Sequence, residues 1–414
     1  MKVAIIGGGP AGLAAVKHCL EQNIECTAFE QTENIGGTWI YTDKIKEDEN
    51  GVPVHTAMYQ GLRTNLPTRL MEFENFPHIP KDNFYITQPE VLEYIKSYAN
   101  HFNLLPHIKL CHQVINVDPR PNEKWSLLVR NVKTKKVEEH TYDGVIVCNG
   151  HYTSPYMPSI PGMEHFNGKS IHCKQYRKPN IYAGKKVLVI GGGPSGLDIS
   201  TLLNGIAKKV VFSFSKLFYG TPAEGVITKP RVSQFKEGKV IFVDGTEEDI
   251  DEVIYCTGYY PSYPFLSKNC GITVDDGWVK PLYKHFINIE HPTMAIVNIT
   301  LVVSTFTLYS IQIRFYLALL KGHFKVSKEE MYEDLNQAVK KREDKGLPKK
   351  MTHFIALEQL DYCENLADIA NIRKIPRVYG KMFAKILCNL DKKYGVKIID
   401  DENFELVQLE YTTI

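Results

Sequence analysis

The sequence predicts an α/β protein built from two Rossmann-like domains, the second inserted into the first. Two internal repeats and the chain length predict it. Residues 2–13 read KVAIIGGGPAGL and residues 186–197 read KVLVIGGGPSGL, with nine of twelve positions identical. A second echo joins YDGVIVCNGHY at 142–152 to IDEVIYCTGYY at 250–260. Self-similarity of this kind marks one structural unit used twice. The 414 residues, at roughly 150 per domain, leave room for two or three domains.

The opening element of each copy is a β-branched strand, a glycine loop and a helix. Both loops fit Gly-x-Gly-x-x-Gly, as Gly7, Gly9, Gly12 and as Gly191, Gly193, Gly196. Helix-compatible segments follow (LAAVKHCLEQN; LDISTLLNGI). This is the context that turns a weak glycine pattern into a dinucleotide site. The glycines permit a tight turn and close approach of backbone to a pyrophosphate. The helix N-terminus then offers unpaired N–H groups to the phosphate charge. The closing element is the second echo. It lies much further from its loop in the first copy (Gly7 to Gly150) than in the second (Gly191 to Gly258), so the first domain carries an insertion. The expected boundaries are 1–158 with 281–414 for the first domain and 159–280 for the second.

The copies differ where a nucleotide is selected. The strand ECTAFE ends at Glu30, whose carboxylate suits the ribose hydroxyls of FAD or NAD and repels a 2′-phosphate. The matching strand VVFSFSK offers Ser213, Ser215 and Lys216 and no acid, which suits NADP. Ordinary strand-end serines are the alternative. A further glycine pair, Gly36-Gly37 before Thr38-Trp39, follows Glu30. A second backbone loop beside the ribose acid suits the longer FAD. Two such sites in one chain imply electron transfer from NADPH to FAD.

Composition narrows the reaction. The chain is 43% hydrophobic and 23% charged, with 49 basic and 47 acidic residues. That balance argues against a nucleic-acid binder and against a disordered charged tail. The nine cysteines, an odd number, include no Cys-x-x-Cys pair, which argues against a metal site and against a disulfide reductase. Cys148 and Cys256 occupy equivalent repeat positions and read as packing residues. Residues 294–313 carry no charge over about the length of a membrane span, but seven are Asn, Gln, Ser or Thr. A buried strand followed by a helix is expected there, and no integral membrane segment. Lys2-Val3-Ala4-Ile5-Ile6 leaves no room for a secretory leader. A cytoplasmic location is expected, or a secreted one if a leader was removed.

The linker after the first closing strand, NGHYTSPYMPSIPG, is rich in proline. It leads into Phe166, Gly168, His172 and Tyr176 at the spacing Phe-x-Gly-x-x-x-His-x-x-x-Tyr. With Gly-Gly-Thr-Trp at 36–39 and Thr257-Gly258-Tyr259, this resembles the flavin-containing monooxygenases over residues 2 to about 325. Within that family the chain is similar to the soluble insect members that N-oxygenate pyrrolizidine alkaloids. The related Baeyer–Villiger enzymes have Trp where this chain has Tyr176.

The resemblance implies a mechanism. NADPH reduces FAD, the reduced flavin traps O2 as a C4a-hydroperoxide, and a tertiary amine or thioether takes its distal oxygen. It also implies site residues. Tyr59–Pro67 is similar to the segment bearing an active-site Asn, which places Asn65 at the oxygenating site; a turn-capping Asn is the alternative. Arg63 and Thr64 go with it. Pro10, Ala11, Gln31 and Val114 join the FAD set, and Gln312 falls in a late segment near the flavin ring. Pro194 and Ser195 join the NADPH set with Thr257, Gly258 and Tyr259. His172 reads as a conformational residue at the domain junction and not as a base. A Ser-capped helix is expected over 327–345, serving substrate access or a subunit contact, so that a homo-oligomer is left open. Lys340-Lys341-Arg342 reads as a solvated helix end. Three other functions stay open: an NADPH oxidase that releases peroxide, a ketone-oxygenating enzyme, and a non-catalytic flavin sensor.

Overall fold

The computed structural model describes residues 1–78, 84–218, 220–389 and 394–409. Strand Lys2–Ile6 lies at the heart of a sheet of seven strands among the described residues. It pairs in parallel with Glu25–Phe29 on one side and Gly144–Val147 on the other. Ile108–Lys109 extends the first side, and Met294–Ile296 extends the second. The crossover from the first strand is α1 (Pro10–Glu21), buried along most of its length. Strands covered on both faces read as continuous apolar runs, which is why VAII and VIV carry no alternation. Further along, α2 (Gln88–His101) starts at a capping box of Thr87 and Glu90.

The second unit repeats this plan on a smaller scale. Lys186–Ile190 pairs in parallel with Lys209–Ser213 and with Glu252–Tyr255, and Lys169–His172 completes one edge. Helix α3 (Pro194–Leu203) takes the place of α1. Each unit also carries a three-stranded antiparallel meander just before its closing strand, at 112–142 and at 232–249.

The chain returns to the first unit earlier than the expected position 281. The Val117 N–H donates to the Phe265 carbonyl at 2.7 Å. Cys270 and Val279 are buried in the same cluster as Val117 and Trp125 of the first meander. The crossing therefore falls near 256–263. The reason is tertiary: a short loop is captured by the meander with no composition change to mark it.

The uncharged stretch 294–313 divides as expected into a buried strand and α4 (Thr305–Leu320), which packs against α1. Among the described residues no helix is long and apolar enough to cross a membrane. Among the described residues three more α-helices follow: α5 (Lys328–Asp344), α6 (Gln359–Ala370) and α7 (Arg377–Leu387). Ser327 and Glu330 form the capping box of α5. The solvated reading of its basic end fails at Arg342. That side chain is buried, donates to Thr352 Oγ1 at 3.0 Å and lies over the Trp278 ring.

One histidine pair ties α5's neighbourhood to the first unit. Nδ1 of His285 lies 3.3 Å from Nδ1 of His353, and His353 Nε2 lies 3.1 Å from the Val279 carbonyl. Burial holds both rings neutral, pushing His285 down to about 4 and His353 to about 3. An unfolded histidine titrates near about 6.5. Between these values the unfolded chain binds protons that the folded chain refuses, so stability is lost as pH falls through that window. The urea midpoint is expected to drop between about pH 7 and about pH 5. Replacing both histidines by Asn should flatten part of that slope; an unchanged slope would remove the pair from the account.

Candidate functional site

Both glycine loops are set by contact with a closing strand. Gly7 has φ +112°, and a Cβ there would sit 2.5 Å from the Cys148 carbonyl oxygen. Gly191 has φ +122°, and its Cβ would meet the Cys256 carbonyl oxygen at 2.2 Å. The third glycines close the turns: a Cβ on Gly12 or Gly196 would lie 1.9 Å from the carbonyl oxygen of Gly7 or Gly191. Pro10 and Pro194 then start the helices, a position where the missing N–H is no loss. Neither helix has a side-chain cap or an acid in its first turn. Their first N–H groups and positive dipole ends are left for an anion.

At the first loop, Glu30 is buried, yet its carboxylate is satisfied. It accepts from the Gly8 N–H at 2.7 Å, and from the Thr32 N–H and hydroxyl at 2.8 Å each. These bonds fix the carboxylate at the end of its strand, at the cavity wall. The second glycine pair folds onto the first loop: the Gly36 N–H donates to the Gly8 carbonyl at 3.0 Å. A Cβ on Gly37 would fall 2.8 Å from the Gly9 Cα. Two backbones thus pass side by side with no side chain between them, a cradle that fits the pyrophosphate and ribityl chain of FAD.

At the second loop the 214–218 turn lies over the glycines. The Phe218 N–H donates to the Gly192 carbonyl at 3.0 Å. This turn brings Ser215 and Lys216 to the cavity wall beside Gly193, Pro194 and Ser195. A Cβ on Gly193 would meet nothing within 4 Å, so that glycine faces open space. Ser213 is corrected. It is fully buried, and its hydroxyl donates to the Pro230 carbonyl at 2.7 Å, which turns it away from the wall.

Both loops open onto one cavity of about 3590 Å³, several times the roughly 300–1,000 Å³ of a single small-molecule pocket. Of the residues expected at the first site, Gly7, Gly9, Pro10, Ala11, Glu30, Gln31, Gly37, Thr38, Trp39 and Val114 line it. Gly12, Gly191 and Gly196 shape the loops from behind. Arg63, Thr64 and Asn65 also line the cavity, as do Thr257, Gly258 and Tyr259. The Arg63 guanidinium donates to the Tyr85 carbonyl at 3.0 Å. Asn65 is exposed to the cavity, with no protein partner for its amide among the described residues. Gln312 does not reach the wall. It is fully buried, accepts from the Asn298 N–H at 3.4 Å and donates to the Tyr362 hydroxyl at 3.0 Å. Asn298 itself is on the wall, so Gln312 lies one residue behind it.

His172 is buried with both ring nitrogens engaged. Nδ1 accepts from the Lys174 N–H at 3.1 Å and Nε2 lies 3.0 Å from the Gly258 carbonyl. No ring nitrogen is left to move a substrate proton, which supports the conformational reading. The two linkers run together here, with Ser154–Pro155 antiparallel to Tyr259–Tyr260. Other contacts across the junction carried no sequence signal. The Tyr59 hydroxyl donates to Asp198 of α3 at 2.7 Å. Arg177 is buried and donates to the carbonyls of Lys44, Lys174 and Tyr176.

A family model described as flavin-binding monooxygenase-like matches residues 1–221 and 216–385. The senecionine N-oxygenase of Tyria jacobaeae is 33% identical, over 98% of this chain and 91% of its own length. The S-allyl-L-cysteine S-oxygenase of Allium sativum has a similar structure, with a TM-score of 0.85 and 33% identity over 93% of this chain and 92% of that one. Tmm of a Pelagibacter species gives a TM-score of 0.86 at 26% identity, over 100% and 97% of the two chains.

The glycine geometry makes a contrast that is checked directly. Gly12→Ala and Gly196→Ala force a methyl into a carbonyl oxygen and should cost about 1–3 kcal/mol or more. Gly193→Ala should keep the melting temperature but weaken dinucleotide binding, since its methyl enters only the cavity. Thermal melts and NADP+ titrations of the three variants decide it; a destabilised Gly193→Ala would contradict the open placement.

Proposed function

Because the chain belongs to the flavin-binding monooxygenase-like family, we propose that it is an NADPH- and O2-dependent enzyme that oxygenates nitrogen or sulfur in soft nucleophiles. Family membership makes it a flavin-dependent monooxygenase; the nucleotide preference and the substrate class are the proposal. The observation that carries it is the cavity shared by two glycine loops, one with Glu30 and the other with Ser215 and Lys216 beside it, and with the Asn65 amide, unpartnered among the described residues, on its wall.

The FAD site would be formed by the Gly7–Gly12 loop and α1 for the pyrophosphate, Glu30 for the ribose and Gly37–Trp39 along the chain. FAD, when bound, supplies the redox and oxygen chemistry. The overall balance is one substrate, O2, NADPH and H+ giving one oxygenated substrate, water and NADP+. The protein's own part is binding, orientation and exclusion of water. The α3 N-terminus with Ser195 would take the nicotinamide dinucleotide's pyrophosphate, and Ser215 with Lys216 its 2′-phosphate. The Asn65 amide offers both donors and an acceptor without a titrating proton. It would orient the reacting groups without leaking protons to the activated oxygen. The N- and S-oxygenating relatives support this reading.

The test is incubation with NADPH, O2 and a panel of tertiary amines and thioethers, read by mass for N-oxides and S-oxides. Consumption of NADPH that yields only hydrogen peroxide with every compound would sink the proposal in favour of an oxidase. NADPH should outperform NADH by about tenfold or more in kcat/KM, about 1.4 kcal/mol; equal use of both would refute the role of Ser215 and Lys216. Asn65→Asp should uncouple NADPH oxidation from product formation. Retained coupling would take Asn65 out of the site.

A further inference from the structure

We propose that Cys173 and Cys256 form a dithiol on the cavity wall that hydrogen peroxide oxidises to a disulfide. The proposal does not depend on the oxygenation reading, because peroxide from any source meets the same wall.

Sheet register brings the two thiols together. Tyr255 pairs with His172 at the parallel edge of the second sheet, and the next residues along the two chains are Cys256 and Cys173. Neighbouring strands stand about 4.8 Å apart, inside the roughly 4.4–6.8 Å between Cα atoms that a disulfide spans. Ile171, Cys173, Ile254 and Cys256 pack in one cluster, so both thiols leave the same face of the sheet. Their sulfurs are in hydrogen-bond contact. The first unit has no such pair at the equivalent place. There Val147 pairs with Ile296, so Cys148 has Val297 beside it. The packing role expected of both repeat cysteines describes Cys148, whereas Cys256 has a second thiol beside it.

The two sulfurs are not equivalent. Cys173 Sγ lies 3.6 Å from the Tyr259 hydroxyl and 3.8 Å from His172 Nδ1. The Cys256 thiol, donating to it, holds Cys173 well below the usual thiol range, while burial pushes Cys256 up. Cys173 is therefore the nucleophile and Cys256 the resolving thiol. Cys173 is 3% exposed and Cys256 7%, and both line the cavity. An oxidant little larger than water fits such openings, and a bulky hydroperoxide does not.

The chemistry balances in two steps. The Cys173 thiolate attacks one peroxide oxygen: an S–O bond forms, the O–O bond breaks, and the departing hydroxide leaves as water with the proton that Cys173 released. The Cys256 sulfur then attacks the sulfenic sulfur of Cys173. The S–S bond forms, the S–O bond breaks, and the hydroxide leaves as water with the Cys256 proton. The two thiols lose two electrons and the peroxide gains them.

Other cysteines of the chain serve as controls. Cys19 and Cys26 are also in hydrogen-bond contact, but they lie in the core beneath α1 and off the cavity wall. Cys148 and Cys388 line the wall away from the pair. Pairing alone would also oxidise Cys19 with Cys26, and access alone would also oxidise Cys148 and Cys388. The test exposes the full-length, FAD-loaded enzyme, freshly reduced and desalted, to a small excess of hydrogen peroxide without NADPH. Free thiols counted after denaturation should fall by two of the nine. Peptide mapping should find Cys173 joined to Cys256, about tenfold or more faster than any Cys19–Cys26 link. Cumene hydroperoxide should act about tenfold or more slowly than hydrogen peroxide. Cys256→Ser should stop at a sulfenic acid on Cys173 that dimedone labels, and Cys173→Ser should leave Cys256 reduced. The wild-type map stands whether or not these variants fold. Absence of the Cys173–Cys256 disulfide, an equally fast Cys19–Cys26 link, or even loss of all four wall thiols would overturn the proposal. A second arm supplies NADPH and air with no substrate, with and without catalase in solution. A disulfide that forms despite catalase places the peroxide source inside the cavity, and one that forms only without catalase places it in bulk solution; both support the site.

Discussion

Everything at this site depends on one backbone contact made twice. The first glycine of each loop passes so close to the carbonyl of a closing strand that no Cβ fits between them. Gly7 does this at Cys148 and Gly191 at Cys256. The contact fixes the exit direction of the loop and therefore the axis of the helix behind it. Once the helix axis is fixed, its uncapped N-terminus faces the open end of the parallel sheet, where a dinucleotide phosphate belongs. The closing strand must reach the first strand in register for the contact to exist, as it does from Val3–Gly144 to Ile6–Val147 and from Val187–Glu252 to Ile190–Tyr255. The placement of the two glycine loops is therefore a consequence of sheet register.

Joining two such sites into one cavity is a separate requirement, and polar contacts at the junction meet it. Tyr59 ties a loop of the first unit to α3 of the second. Arg177 gathers carbonyls from two segments, and His172 bonds the linker to the turn at Gly258. The His172 and Arg177 side chains that make these contacts are buried and engaged with backbone. Because the Arg177 donors meet carbonyls and no carboxylate, that junction is held by hydrogen bonds, with less dependence on a matched charge elsewhere in the chain.

This division explains what was legible in the sequence. The glycine loops, the strand-end acid Glu30 and the Gly36–Gly37 pair were readable because their constraint is local: a turn, a positive φ, a strand end. Ser213 was misread because its hydroxyl orientation is decided by Pro230, which lies on a different segment of the chain. Gln312 was placed near the flavin but stands one residue behind the wall, for the same reason. The early return of the chain at 256–263 left no trace in composition, since it is the Val117–Phe265 pairing that captures the loop. The basic run at 340–342 looked like a solvated helix end, and only the Trp278 ring and the Thr352 hydroxyl show why Arg342 is inside.

The C-terminal region is where sequence reasoning stops and geometry takes over. Helix α7 has an ordinary amphipathic pattern, and an apolar stripe at i, i+3, i+4 ordinarily means a face buried in a core. Here the face is shared. Val378 and Met382 serve the core, while the stripe runs on through Leu387 into the cavity. A helix used in this way couples two properties: side chains that hold it in place also set the shape offered to a ligand. Changes at its final turn therefore vary the cavity with little effect on the glycine loops, which are fixed by sheet register elsewhere in the chain. The glycine loops and the α7 side of the cavity rest on parts of the fold that tolerate change to very different degrees.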